Sequence, residues 1–225
     1  MHILSGVHFL EEINMEIFVN VLELIGTVAF AASGALIAMK KHMDLLGVIV
    51  LGVVTAIGGG ILRDLILGIT PPLAFRDPTC AIVAIGTAIV MFIPWVRHGL
   101  MHNTRLFDAV LLVMDSVGLG VFTAMGIWNA LSFSPDRSTF LLVFVGVLTG
   151  VGGGVIRDVL AGDMPYILVK HIYACASLLG AVTCALLWRC LPQYAAMLIA
   201  IVLVLVIRLL SAYFRWNLPR ANDVN

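Results

Sequence analysis

The chain has 225 residues, 61% of them hydrophobic and 12% charged, with a mean hydropathy of +1.09. A soluble domain devotes about a quarter of its residues to charge, so half that share excludes an ordinary soluble globule and points to an integral membrane protein. Thirteen Lys plus Arg balance thirteen Asp plus Glu, which removes the basic footprint of a nucleic-acid-binding protein.

The chain opens with MHILSGVHFLEEINMEIF, which lacks the basic n-region and small-residue cleavage site of a signal peptide. Glu11, Glu12 and Glu16 stand where positive charge would be needed. Residues 1–16 are therefore expected to form an extracytoplasmic segment leading into an uncleaved membrane helix. Apolar runs of bilayer-spanning length follow at 17–39, 45–67, 79–96, 106–131, 138–161, 169–190 and 194–214. Breakers separate them: KKHMD, GITPPLAFRDP, WVRHGLMHNTR, FSPDR, GDMPY and CLPQ. The reading is an all-α membrane protein of seven transmembrane helices, with a tail over 215–225 and no attached soluble domain.

Seven spans put the termini on opposite sides. With the N-terminus outside, Lys40, Lys41, Arg97, Arg105, Lys170, Arg215 and Arg220 lie on the cytoplasmic side, against Arg76, Arg137 and Arg189 outside. The positive-inside rule then gives N-out, C-in, with the tail cytoplasmic. Arg63, Arg157 and Arg208 remain inside or near spans.

The sequence is duplicated. GVVTAIGGGILRDLILGITP aligns without a gap on GVLTGVGGGVIRDVLAGDMP at an offset of 94, and ELIGTVAFAASG (23–34) on DSVGLGVFTAMG (115–126) at an offset of 92. Glu23 thus pairs with Asp115, Gly26 with Gly118, Phe30 with Phe122, Gly34 with Gly126 and, downstream, Gly86 with Gly180. Residues 17–96 form one three-helix repeat and 106–190 a second; 194–214 stands outside the duplication. Three spans per repeat send the second copy through the membrane upside down. Inverted repeats are the build of many transport proteins, whose sites lie near the midplane on interrupted helices.

Gly58, Gly59 and Gly60, like Gly152, Gly153 and Gly154, cost roughly 1 kcal/mol each in helix propensity relative to alanine. Two readings fit them. Small residues let membrane helices touch, and Gly146, Gly150 and Gly154 keep GxxxG spacing. Alternatively the helix breaks there, and its freed carbonyls, with the Thr55 and Thr149 hydroxyls, form a place for a monovalent cation. On the second reading Gly59→Leu and Gly153→Leu block passage. Arg63, Asp64, Arg157 and Asp158 follow directly, and an ionised group at the bilayer centre costs at least about 2.5 kcal/mol. The charges pair across the repeats (Arg63 with Asp158, Arg157 with Asp64), pair with Glu23 and Asp115, or anchor helix ends. The result is a polar, glycine-lined path suited to a cation.

No phosphate loop, HExxH, G-x-S-x-G or paired CxxC motif occurs. An acid/base role for Asp64 and Asp158 has no nucleophile or metal cluster to accompany it, so an enzyme is not expected. The four cysteines lie in or beside apolar runs without metal-ligand spacing, and His42, His98, His102 and His171 are scattered at loops. No cofactor is expected, and potassium or sodium is the expected permeant or bound species.

The doubled TAIGGGILRD and TGVGGGVIRD, within a seven-span inverted duplication, resemble the bacterial membrane family named as a glycine-transporter domain, similar to the prokaryotic TRIC (trimeric intracellular cation) channels. The resemblance covers residues 20–215. It implies a homotrimer in the bacterial inner membrane, each protomer with its own pore for monovalent cations, mainly potassium, lined by spans two and five kinked at their glycines. By motif match the pore positions are Thr55, Gly58–Gly60, Arg63, Asp64, Thr149, Gly152–Gly154, Arg157 and Asp158. The Lys-Glu-Val signature of animal TRIC channels is replaced here by glycines, so their voltage or calcium control is not carried over. A secondary transporter of glycine or another small zwitterion uses the same residues: helix N-termini and Arg63 for a carboxylate, Asp64 for an ammonium. A structural or lipid-binding scaffold would leave the intramembrane charges without a purpose.

Overall fold

The computed structural model describes residues 2–133, 138–169 and 172–216, with backbone alone for 2–12 and 169. Arg137, Lys170, Arg220 and the tail beyond 216, which enter the expectations above, lie outside the described residues. Ten helices appear there, and no strand: α1 (His2–Lys40), α2 (Leu45–Leu67), α3 (Leu73–Arg76), α4 (Thr79–Phe92), α5 (Pro94–His102), α6 (Thr104–Phe133), α7 (Thr139–Leu160), α8 (Tyr166–Val169), α9 (Tyr173–Leu187) and α10 (Gln193–Tyr213).

Five of them are long and apolar enough to cross a membrane, or six if the bent pair α4–α5 forms one span. The expected span 169–190 is represented by α9, an apolar helix of 15 residues. The expected span 79–96 ends early. α4 stops at Phe92 and the chain turns by 69° into α5, because Pro94 cannot donate to the preceding turn and instead starts a new helix at its first position. WVRHGLMH, expected as a joint, is helical, with Trp95 exposed.

The duplication is visible in the ends of the helices. The Asp44 carboxylate accepts from Gly47 N (2.8 Å) at the start of α2, and the Ser138 hydroxyl accepts from Leu141 N (3.3 Å) at the start of α7. Gly68 and Gly162, both left-handed, follow α2 and α7. Beyond each, one further amide returns to the motif aspartate: Ile69 N to Asp64 O and Asp163 N to Asp158 O.

The repeats meet around a pseudo-two-fold axis through equivalent contacts. Phe30 of α1 rests on Gly118 of α6, where an added Cβ would come within 2.1 Å of the ring; Phe122 rests on Gly26, where it would come within 3.1 Å. The two rings meet at 5.3 Å between centroids. α2 and α7 cross through their own glycines. A Cβ on Gly59 would lie 2.2 Å from the Thr149 carbonyl oxygen, and one on Gly153 would lie 2.1 Å from that of Thr55. The core is correspondingly rich in small residues (Ala31, Ala56, Ala84, Ala124, Ala181), while Leu46, Ile82, Phe140, Leu186 and Val202 are exposed around the outside. An apolar exterior around a close-packed, small-residue interior is what a lipid solvent requires.

Candidate functional site

Both glycine motifs sit inside unbroken helices. α2 runs through Gly58–Gly60 and α7 through Gly152–Gly154, so the expected half-helices with free carbonyls are not formed. The glycines are kept in the helix by what they gain in packing: the central pair lets the two backbones touch. The threonines are likewise occupied. Thr55 Oγ1 donates to Leu51 O and Thr149 Oγ1 to Val145 O, each at 2.6 Å, and they fit against Gly34 and Gly126 of the neighbouring helix. A backbone cation site at the midplane is therefore absent in this conformation, and leucine at Gly59 or Gly153 would push the helices apart rather than fill a passage.

The outer glycines differ from the central ones. Gly58 faces the side chain of Ile156, and Gly152 faces Gly59 and Leu62. Gly60 faces open space with Arg63 Nη2 3.8 Å from an added Cβ, whereas at Gly154 the Tyr173 hydroxyl would be 2.9 Å away. These two positions mark the inner limits of two polar sites, one in each repeat.

Both sites contain the same staple. Arg63 Nε donates to Asp64 Oδ1 and Arg157 Nε to Asp158 Oδ1, at 2.8 Å in each case. The other carboxylate oxygen accepts a backbone amide from the short helix that follows, Leu73 N to Asp64 and Tyr166 N to Asp158, again at 2.8 Å. Adjacent residues diverge by about 100° around a helix, but the arginine side chain is long enough to fold back onto its neighbour. Neither expected cross-repeat pair, Arg63–Asp158 or Arg157–Asp64, is formed.

Beyond the staple the two sites part. Arg157 is fully buried and its Nη1 also donates to Asp115 (2.6 Å) and to the Ser33 hydroxyl (2.5 Å). Arg208 of α10 approaches the second Asp115 oxygen at 3.7 Å and stacks over Tyr173, 4.7 Å from the ring centroid. Arg157 stacks over Tyr166 at 5.1 Å. Two arginines and two aspartates thus form a buried, neutral cluster. In the first repeat Arg63 pairs with Asp64 alone among the described residues, and Glu23 is not ion-paired to it. A cavity of about 860 Å³ occupies the space, lined by Glu16, Glu23, Thr27, Gly60, Arg63, Asp64, Arg76, Asp77 and Asn129 among others. Four carboxylates face two guanidiniums there, and Arg76 is turned to the carbonyls of Pro71 and Thr70.

The sequence signals for Glu23, Asp115, Arg63 and Arg157 were their positions in apolar runs. Ser33, Thr27, Tyr166 and Tyr173 carried none, since uncharged residues in an apolar run are unremarkable. Arg208 stood out as an intramembrane charge, but no motif tied it to Asp115.

A family model described as glycine transporter matches residues 20–95 and 112–189. The UPF0126 inner membrane protein YadS of Escherichia coli K12 is 42% identical over 199 residues, 88% of this chain and 92% of its own. The chain belongs to this glycine-transporter family of bacterial membrane proteins. Two solved structures share the family's fold. A prokaryotic TRIC channel crystallised in 0.5 M KCl is 30% identical, with 90% of this chain and 100% of that one covered and a TM-score of 0.81. The TRIC trimeric intracellular cation channel orthologue from Rhodobacter sphaeroides is 32% identical, with 88% and 98% covered and a TM-score of 0.79. In the family member described here, the matched segments contain both glycine motifs and both Arg-Asp staples.

Proposed function

We propose that the chain is a passive channel for monovalent cations, mainly potassium, assembled as a homotrimer with one pathway in each protomer. In this reading the protein crosses the inner membrane seven times, N-terminus outside and C-terminus inside, with α9 and the bent α4–α5 pair completing the count. The pathway follows the α2–α7 crossing. It is open to water through the first-repeat cavity and closed by the Gly59–Gly153 contact and the Arg157 cluster.

The observation that carries the reading is the cavity. It is acidic, extends to Gly60 within the membrane-length helix α2, and belongs to a fold shared with cation channels. Arginine in a cation path is an obstacle when unpaired, and here each motif arginine is neutralised by its own aspartate. Passage then requires α2 and α7 to separate, and the intact helices favour a sliding or tilting motion over local unwinding.

The family description favours a second reading, uptake of glycine or a similar zwitterion, in which Arg63 and Asp64 at the cavity floor hold carboxylate and ammonium. Potassium flux through purified protein in liposomes, matched with labelled glycine uptake, separates the two. Non-saturating potassium flux, indifferent to glycine and reduced by Gly60→Leu, supports the channel. Saturable glycine accumulation with little potassium leak overturns it.

A further inference from the structure

The duplication places an acid in each repeat at the same depth, yet only one of them is neutralised. Asp115 is 2.6 Å from Arg157 and also faces Arg208. Glu23, its equivalent, has no Lys, Arg or His nitrogen within ion-pair distance among the described residues, because Arg63 is held by Asp64. One turn along α1 from Glu23 lies Thr27, on the same face of the helix. Thr27 is 1% exposed and lines the same cavity, and its hydroxyl makes no hydrogen bond to an oxygen or nitrogen; its polar neighbour is the weakly bonding Cys80 thiol, which also adjoins Glu23.

That hydroxyl is unlike those of four other threonines in the long helices. Thr55, Thr87, Thr123 and Thr149 all return theirs to the carbonyl four residues earlier, the usual way a threonine is satisfied within a helix. Buried polar groups without partners carry a desolvation cost that a bound ligand or water relieves. A hydroxyl oxygen beside a carboxylate that lacks a counter-ion is a pair of hard oxygen donors.

We propose that Glu23 and Thr27 form a binding site for a monovalent alkali cation in the wall of the first-repeat cavity. The Arg63–Asp64 pair beside it is neutral, so Glu23 contributes one negative charge that a monovalent cation cancels locally, while Glu16 and Asp77, against Arg76, leave the cavity as a whole attractive to cations. The second repeat has no such site, since Arg157 takes the place of the ion beside Asp115. The site rests on this geometry, and only its role in conduction rests on the channel reading. At the entrance to the passage it concentrates cations and turns away anions.

Cys80 of α4 adjoins both residues and lines the cavity, so it reports on the site without any assay of transport. In detergent-solubilised full-length protein carrying Cys175→Ser and Cys190→Ser, the remaining Cys184 is buried. The rate of Cys80 modification is then compared for a cationic and an anionic methanethiosulfonate, in potassium or in the bulky N-methyl-D-glucamine at equal ionic strength. The cationic reagent is expected to react about tenfold faster, and potassium is expected to slow it relative to the bulky cation. Glu23→Gln should remove the potassium protection and reduce the reagent preference, since Glu16 and Asp77 still line the cavity. Thr27→Val keeps volume and charge, so it should retain the reagent preference and lose part of the potassium protection. It also carries the test alone if Glu23→Gln fails to fold. Equal rates for the two reagents, no reaction with either, potassium protection that survives Glu23→Gln, or protection unchanged in Thr27→Val would each overturn the site. Wild-type protein in liposomes separates the two ideas. Potassium protection without potassium flux removes the channel and leaves the site, whereas flux without protection removes the site and leaves the channel.

Discussion

The contact between Gly59 and Gly153 makes a prediction that depends on both residues at once. An alanine Cβ at Gly59 would sit 2.2 Å from the Thr149 carbonyl oxygen, and one at Gly153 2.1 Å from that of Thr55. The obstructing atoms are backbone, so no rotamer change relieves them, and α2 and α7 must separate by about 1 Å with loss of a quarter to a half of their contact energy. Overpacking of this kind costs about 1–3 kcal/mol, against a helix-propensity gain of about 1 kcal/mol for Gly→Ala. Because the obstructing backbone cannot give way, the cost falls at the upper end of that range, about 3 kcal/mol, so Gly59→Ala should lose about 2 kcal/mol, which for a chain of this size lowers Tm by about 4–8 °C. Because one separation relieves both clashes, the double variant should lose no more than either single one, a coupling that a double-mutant cycle measures. Gly60→Ala is the internal control: its nearest neighbour is 3.8 Å away, so it should raise Tm slightly. Thermal melting of the detergent-solubilised protein, followed by size-exclusion recovery, reads all four. Additive losses, or a Gly59→Ala protein as stable as wild type, would refute the close crossing.

Asp115→Asn and Glu23→Gln change equivalent residues in the same way, yet should differ. The first leaves Arg157 and Arg208 buried without their shared anion and should cost about 3–5 kcal/mol, while the second should leave thermal stability close to wild type; equal losses would mean the two sites are alike. Arg208→Gln loosens the Tyr173 stack and the Asp115 contact at the closed end, and should raise potassium flux in liposomes several-fold; unchanged flux would put the closed end elsewhere. Lys41→Ala removes a loop ion pair with Asp163 whose side chains are 34% and 42% exposed, so it should change stability by less than about 1 kcal/mol in a melting experiment. The Asp77 carboxyl is held below the usual aspartate value of 3.8 by the Thr79 hydroxyl and then the Thr79 amide. Its folded pKa is depressed, so its contribution at the start of α4 is complete above 3.8 and is lost as pH falls through the lower folded value. Hydrogen exchange at the Thr79 amide should stay protected on acidification until below 3.8, and loss of protection above that pH would contradict the hydrogen bonds.

The parts of the fold legible in the sequence were those written twice. The pairing of Glu23 with Asp115 and Phe30 with Phe122 follows from an alignment of the chain on itself, and the last pair meets across the pseudo-axis. The state of the glycines was not legible, because low helix propensity is the same whether a helix breaks or two helices touch. Tertiary contact decided it: the carbonyls of Thr55 and Thr149 occupy the space a side chain would need. The turn at Pro94 was marked by proline, but the hydropathy of the third span runs through it and concealed the helix beyond. The partners of Arg157 lay 42 and 124 residues away in sequence, at Asp115 and Ser33, and no local pattern reaches so far.

The difference between the two polar sites has its origin in the helix that was not duplicated. Two identical repeats related by a two-fold axis would present identical sites to the two faces of the membrane, both open or both shut. α10 has no counterpart, packs against α6 and α9, and brings Arg208 to Asp115 and Tyr173 on one side only. Small changes within the repeats add to this. Thr79 begins α4 where Tyr173 begins α9, and that phenol fills the space beside Gly154 that stays open beside Gly60. The duplicated staples fix the ends of α2 and α7 in the same way in both repeats, so the two sites differ only in what lies beyond the staples. A pair of related polar sites, one filled by charged and aromatic side chains and the other left as a cavity, is thereby a consequence of adding one helix to a symmetric pair, and on the channel reading movement of α10 is the simplest way to make the two alike.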